Sequence, residues 1–169
     1  NGPIKVYTAV NDSYKNVGIA TTSIRVIDKN AEKRKFLVPR VSLPFYIYQD
    51  NHNLPYVPSA LMGNYQDLEL DLNYTGEVKS GESCIKIRYN AKTDWYGIGF
   101  VDPPNDWGDL PGGYDISAAQ TFSFWAKASY DNLKVRAGFG LIEGDKPFPD
   151  TGKIMSEFLL TRDWKKYTI

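Results

Sequence analysis

The chain has 169 residues, with twenty basic residues against twenty acidic ones and a formal net charge of zero, which offers nucleic acid or an anionic membrane no overall electrostatic footprint. A composition that is 42% hydrophobic and 14% aromatic, with twelve Tyr and four Trp, excludes disorder and favours a β-rich fold. One cysteine, Cys84, excludes an internal disulfide and a cysteine-based zinc cluster, and no apolar run reaches the ~20 residues that a membrane helix needs.

The length suits one core plus a short appendage, and the opening NGPIKVY carries no signal-peptide pattern, so the chain reads as a piece of a larger protein. Ile4 to Val10 and Val17 to Ile27 are two β-rich runs separated by the turn formers of NDSYKN, a hairpin. A lone hairpin is marginal in water, so it is expected to belong to a neighbouring domain. The charged run Asp28 to Lys35 reads as a solvated linker. Apolar and aromatic residues return from Phe36 to Tyr48, where Pro39 and Pro44 limit any strand to a short extended piece that packs as a tether. The polar, turn-rich stretch Gln49 to Asp67 reads as a long functional or metal-ordered loop.

After it the strands come quickly. Seven are expected: Leu68 to Leu72, Glu82 to Asn90, Trp95 to Val101, Thr121 to Ala128, Leu133 to Leu141, Ile154 to Thr161 and Trp164 to Ile169. Period-two alternation sets Phe122, Phe124 and Ala126 against Ser123, Trp125 and Lys127, and gathers Leu133, Val135, Ala137, Phe139 and Leu141 on one face. The expected core includes Ile85, Ile87, Phe122, Phe124, Val135, Phe139 and Leu160. Short strands with turn signals and no convincing helix give an all-β, two-sheet antiparallel β-sandwich of the jelly-roll kind, with an N-terminal hairpin remnant.

The stretch Asp94 to Tyr114 organises the rest. Its first half, Trp95 to Val101, alternates as a strand; its second half, Asp102 to Gly113 (DPPNDWGDLPGG), cannot, because three prolines remove backbone donors while three glycines admit positive φ. A long structured loop at a strand's end then holds Trp107 among Asn105, Asp106 and Asp109. Such a loop is either a recognition surface or a compact Ω-loop with Trp107 as its own plug.

From Tyr56 onward the pieces YVPSALMGNYQDLELD, SGESCIKIRYNAKTDWYGIGFVDPPNDWGDLPGGYDIS, FSFWAKA and DWKKYTI resemble the jelly-roll, galactose-binding-like carbohydrate-binding modules of secreted, chiefly bacterial, glycoside hydrolases. The part before Asp28 is similar to the last two strands of an immunoglobulin-like domain. The resemblance implies a division into residues 1–35, hairpin remnant plus linker, and residues 36–169, a jelly-roll module truncated in its last strand. It further implies a secreted or cell-surface parent, polysaccharide or oligosaccharide and neighbouring domains of the same polypeptide as partners, and no nucleic acid or membrane.

Sugar recognition needs flat apolar faces for pyranose C–H groups and short planar groups for hydroxyls. Tyr96, Trp107 and Tyr114 are the candidates for stacking, and Asp102, Asn105, Asp106 and Asp109 for hydroxyl contacts. Trp125, pointing away from Phe122 and Phe124, either lines a concave sheet face or is covered by a neighbouring loop, as Trp commonly is. The resemblance also implies a structural calcium ion, which takes six to eight oxygens, with Asn64, Asp67, Asp71 and the Met62 carbonyl as candidates; the plainer reading of both acids is solvated or capping. Catalysis is not expected. Asp106 and Asp109 sit three residues apart on one loop, whereas glycosidases set their acids across the scissile bond. His52 is the sole histidine, so no Ser-His-Asp triad or histidine-rich zinc site is indicated. The alternatives to a carbohydrate-binding module are a structural spacer and a fragment of a catalytic glycosidase.

Overall fold

The computed structural model describes residues 4–11, 17–24, 38–50, 56–90 and 94–169, and the chain divides into two compact units, Asn1–Phe36 and Leu37–Ile169. In the first unit β1 (Ile4–Asn11) pairs antiparallel with β2 (Val17–Ile24), from Ile4 opposite Ile24 to Asn11 opposite Val17. The expected charged linker lies outside the described residues.

The second unit is all-β. Among its described residues the strands are β3 (Val57–Gly63), β4 (Leu68–Tyr74), β5 (Cys84–Tyr89), β6 (Tyr96–Val101), β7 (Ser123–Ala126), β8 (Leu133–Phe139), β9 (Ile154–Leu160) and β10 (Lys165–Thr168), with a 3-10 turn at Tyr65–Asp67. Every pair is antiparallel, and the pairs nest: β4 with β5 inside β3 with β6, then β8 with β9 inside β7 with β10. Among the described residues no helix is long and apolar enough to cross a membrane.

Alternation explains the best-packed part. Phe124 stands opposite Tyr167, and their rings lie 5.6 Å apart. Phe158 of β9 meets Phe124 and Tyr167, each at 5.5 Å, so the β7–β10 pair packs its inner face on the β8–β9 pair. Ala128, Leu160 and Tyr167 are buried at the centre, with Phe124, Ala126, Leu133, Val135 and Phe158 around them. Phe122 and Phe139 extend this layer at 4.8 Å. The buried Tyr167 hydroxyl stays satisfied by donating to the Leu159 carbonyl at 3.2 Å.

Two expectations need correction. Val57–Gly63, read as part of a loop because of its proline and glycine, is a strand paired with β6. A register shift between Pro58 and Ala60 gives the proline the kind of irregular position that sheets tolerate. Ala60 is wholly buried against Gly99, where a Cβ would come within 3.0 Å of the alanine's own Cβ and 2.7 Å of Leu141 Cδ2. The glycines of β6 therefore let two neighbours approach closely. The second correction is Ile87, placed in the core but 44% exposed. It stands opposite Leu70, and the face carrying that pair is only partly covered, whereas Tyr89 one step along is packed 4.4 Å from Tyr96.

Residues 39–41, within the stretch read as a tether, run beside Asp115, just past the organising stretch. Asp115 N donates to the Pro39 carbonyl at 2.9 Å and Val41 N to the Asp115 carbonyl at 3.2 Å.

Candidate functional site

The loop that follows β6 holds itself together. Asp102 Oδ2 accepts from Gly113 N at 3.0 Å, and Asp106 Oδ2 accepts from Gly108 N at 2.9 Å and Leu110 N at 3.3 Å. Asp106 N donates to the Pro103 carbonyl at 3.1 Å, closing a turn. Asn105, in the left-handed region at φ 57°, donates its backbone N–H to Ser59 Oγ at 2.9 Å. Gly108, at φ 84°, accepts from Phe148 N at 3.0 Å and has no room for a side chain, since a Cβ would lie 2.6 Å from Ile142 Cγ2. Asp109 is paired with Lys146 at 3.1 Å.

Thus Asp102 and Asp106 serve the loop's own backbone and Asp109 serves a lysine. Trp107 is half-buried, while Asn105 is exposed. The loop is preorganised, but its carboxylates are already committed.

Tyr114 and Tyr96 take part in packing. Tyr114 lies 5.3 Å from both Phe45 and Tyr56, which themselves meet at 6.3 Å, so three rings fasten the tether to the end of the loop. Within this cluster the Tyr56 hydroxyl is pushed up to about 12, first by burial and then by the charge of Asp102. Tyr96 packs on Tyr89, and burial raises its hydroxyl as well. Tyr96 opens β6 and Asp102 follows its last residue, so the two stand six steps apart along the strand, roughly 20 Å at about 3.3 Å per residue.

Trp125 stands elsewhere. It is on the outward face of β7, 47% exposed, directly opposite Lys166 of β10. The connection between β4 and β5 reaches down to it. Lys79 Nζ lies 4.4 Å from the centre of the Trp125 ring, and Glu77 is bonded to Lys127, which holds the Glu77 carboxyl below its ordinary value. Ser123 and Thr168 face each other one step along the same surface. This group joins an aromatic face, two hydroxyls and three ammonium groups.

The lysines escaped the sequence reading. Lys127 follows Trp125 by two residues and was visible as sharing its face, but Lys79 and Lys166 come from distant segments. Trp95, the most exposed tryptophan at 64%, was also passed over; alternation alone does not say which face of β6 is uncovered.

Of the calcium candidates, the structure brings Asn64 and Asp67 together, with Asn64 Nδ2 donating to Asp67 Oδ2 at 2.7 Å. Asp71 stays apart on β4, opposite Lys86, and its Oδ1 accepts from Asn73 N at 3.0 Å. The two acids are four steps apart along near-extended chain, roughly 13 Å. As placed, with an amide nitrogen toward the carboxylate, these residues do not fit an ion that requires six to eight oxygens. Among the described residues no group of three or more His, Cys, Asp or Glu side chains converges as a metal site. His52 lies outside the described residues.

Compared with known proteins, the chain matches no family model, no curated protein and no solved structure.

Proposed function

We propose that the chain is a non-catalytic β-sandwich module that binds polysaccharide for an attached glycoside hydrolase in a secreted or cell-surface protein. The observation that carries this reading is Trp125: a large ring, about half exposed, on the polar outer face of a strand whose inner face is the aromatic core. An indole in that position offers a flat apolar surface beside hydroxyl and ammonium donors, the pairing that a pyranose requires. Lys79 over the ring is a small obstacle, since an exposed cation–π contact is worth only ~0.5–1 kcal/mol. The facing strand pairs around Phe124, Phe158 and Tyr167 support a two-sheet jelly roll as the frame. The engagement of Asp102, Asp106 and Asp109 within the loop supports a binding role over hydrolysis by an acid pair.

A second reading, a spacer or protein-contact sandwich, is favoured by Met155 and Leu159, 47% and 51% exposed on the outward face of β9.

A glycan array with soluble binding assays, run on the wild type, Trp125→Ala and Trp107→Ala, tests the proposal. Binding should be lost in Trp125→Ala and kept in Trp107→Ala. A wild type that binds no glycan would leave the spacer reading standing, and release of reducing sugar from any glycan would overturn the non-catalytic assignment.

A further inference from the structure

Around Trp125 the charges do not cancel. Lys127 is neutralised by Glu77. Lys79 lies over the ring, Lys166 is exposed and directly across from Trp125, and neither has an ion-pair partner among the described residues. Two uncompensated ammonium groups therefore flank one exposed indole in a chain whose formal net charge is zero.

From these contacts we infer that the outer face of β7 and β10 selects a glycan whose sugars carry carboxylates, a uronate polymer; this rests on the glycan-binding reading above. A uronate stacked on Trp125 holds its carboxylate at the edge of the ring. Directly opposite residues of an antiparallel pair have Cβ atoms ~4.5–5.5 Å apart, so the Lys166 ammonium reaches that edge along its own stem. The flexible four-carbon stem of Lys79 lets its ammonium swing from above the indole to the same carboxylate, clearing the ring for the sugar as it does so. A neutral pyranose gains the stack but leaves both ammonium groups partly desolvated and unpaired, which disfavours it. Two free cations beside a single ring fall short of the basic stripe that tracks a run of phosphates, so the carboxylated sugar is the better match.

The test measures affinity of the 169-residue chain for polygalacturonate and alginate, and for methyl-esterified forms of the same polymers. Esterification removes the charge and keeps the backbone. Binding should weaken about tenfold or more on esterification, and by a similar factor between about 0.05 M and 0.5 M salt, because exposed charge pairs are screened. Lys79→Gln and Lys166→Gln should each weaken binding to the acidic polymers by about three- to tenfold without moving Tm. Equal affinity for acidic and esterified polymers, or Lys variants that bind like the wild type, would overturn the charge selection while glycan binding stood. Failure to bind these polymers together with neutral glucan and xylan would overturn both readings. A single-stranded oligonucleotide bound more tightly than polygalacturonate would also overturn the proposal, assigning the face to another class of ligand.

Discussion

Phe124 and Trp125 are adjacent in sequence and face opposite ways, so truncating each in turn tests the fold and the site together. Phe124 meets Phe122, Phe158 and Tyr167 at ring separations of 5.7, 5.5 and 5.6 Å. Removing a fully buried Phe costs ~3–5 kcal/mol. Phe124 is half-buried, which roughly halves the apolar part, and three aromatic contacts at up to ~1.5 kcal/mol each restore some of it. Phe124→Ala should therefore cost about 2–4 kcal/mol. Trp125→Ala removes an exposed ring and one cation–π contact, and should cost about 1 kcal/mol or less. Urea unfolding of both variants, followed by circular dichroism with the slope of the transition checked for constancy, measures the difference. Equal losses, or a larger loss at Trp125, would refute the packing of the β7–β10 pair on the β8–β9 pair.

Three further outcomes are expected. Gly99→Ala forces a Cβ against Ala60 and Leu141 and should cost about 1–3 kcal/mol, seen as a fall in Tm; an unchanged Tm would show that β3 and β6 are not closely apposed. Tyr56, ordinarily titrating at 10.0 and here pushed up to about 12, keeps its proton in the folded chain after the unfolded chain has lost it. Stability should thus fall as pH rises through that interval, and Tyr56→Phe should remove part of the fall; a variant with an unaltered alkaline profile would show that the hydroxyl is not buried. Calcium should leave Tm unchanged, because Asn64 and Asp67 meet without Asp71, whereas a ligand held only by the folded state would raise it.

The strands most legible in the sequence were those with one apolar and one polar side. FSFWA showed which way Trp125 points, and LKVRAGF showed the buried row of β8, because a period of two leaves no other arrangement. β3 was hidden because Pro58 and Gly63 are turn formers by residue type; the bulge that admits Pro58 depends on the partner strand. The loop was legible as a loop but not as a closed circuit of bonds. Asp106 followed two residues later by Gly108 is the spacing of an Asx-turn, and that signal marks Asp106 as an acceptor for its own backbone. No comparable local signal places Lys79 beside Trp125. That contact joins the β4–β5 connection to β7 and exists only through tertiary structure.

The nesting of the strand pairs bears on the order in which the chain folds. Closing β7 on β10 directly means bringing Ala126 to Lys165, 39 residues away in sequence. If β8 and β9 have already paired Leu133 with Leu160, the path shortens to the seven residues before that pair and the five after it. On a logarithmic closure cost this saves about 1 kcal/mol of entropy. The inner hairpin should accordingly be well developed in the transition state, with the outer pair closing over it, so that mutations in β8 and β9 slow folding while mutations in β10 chiefly speed unfolding.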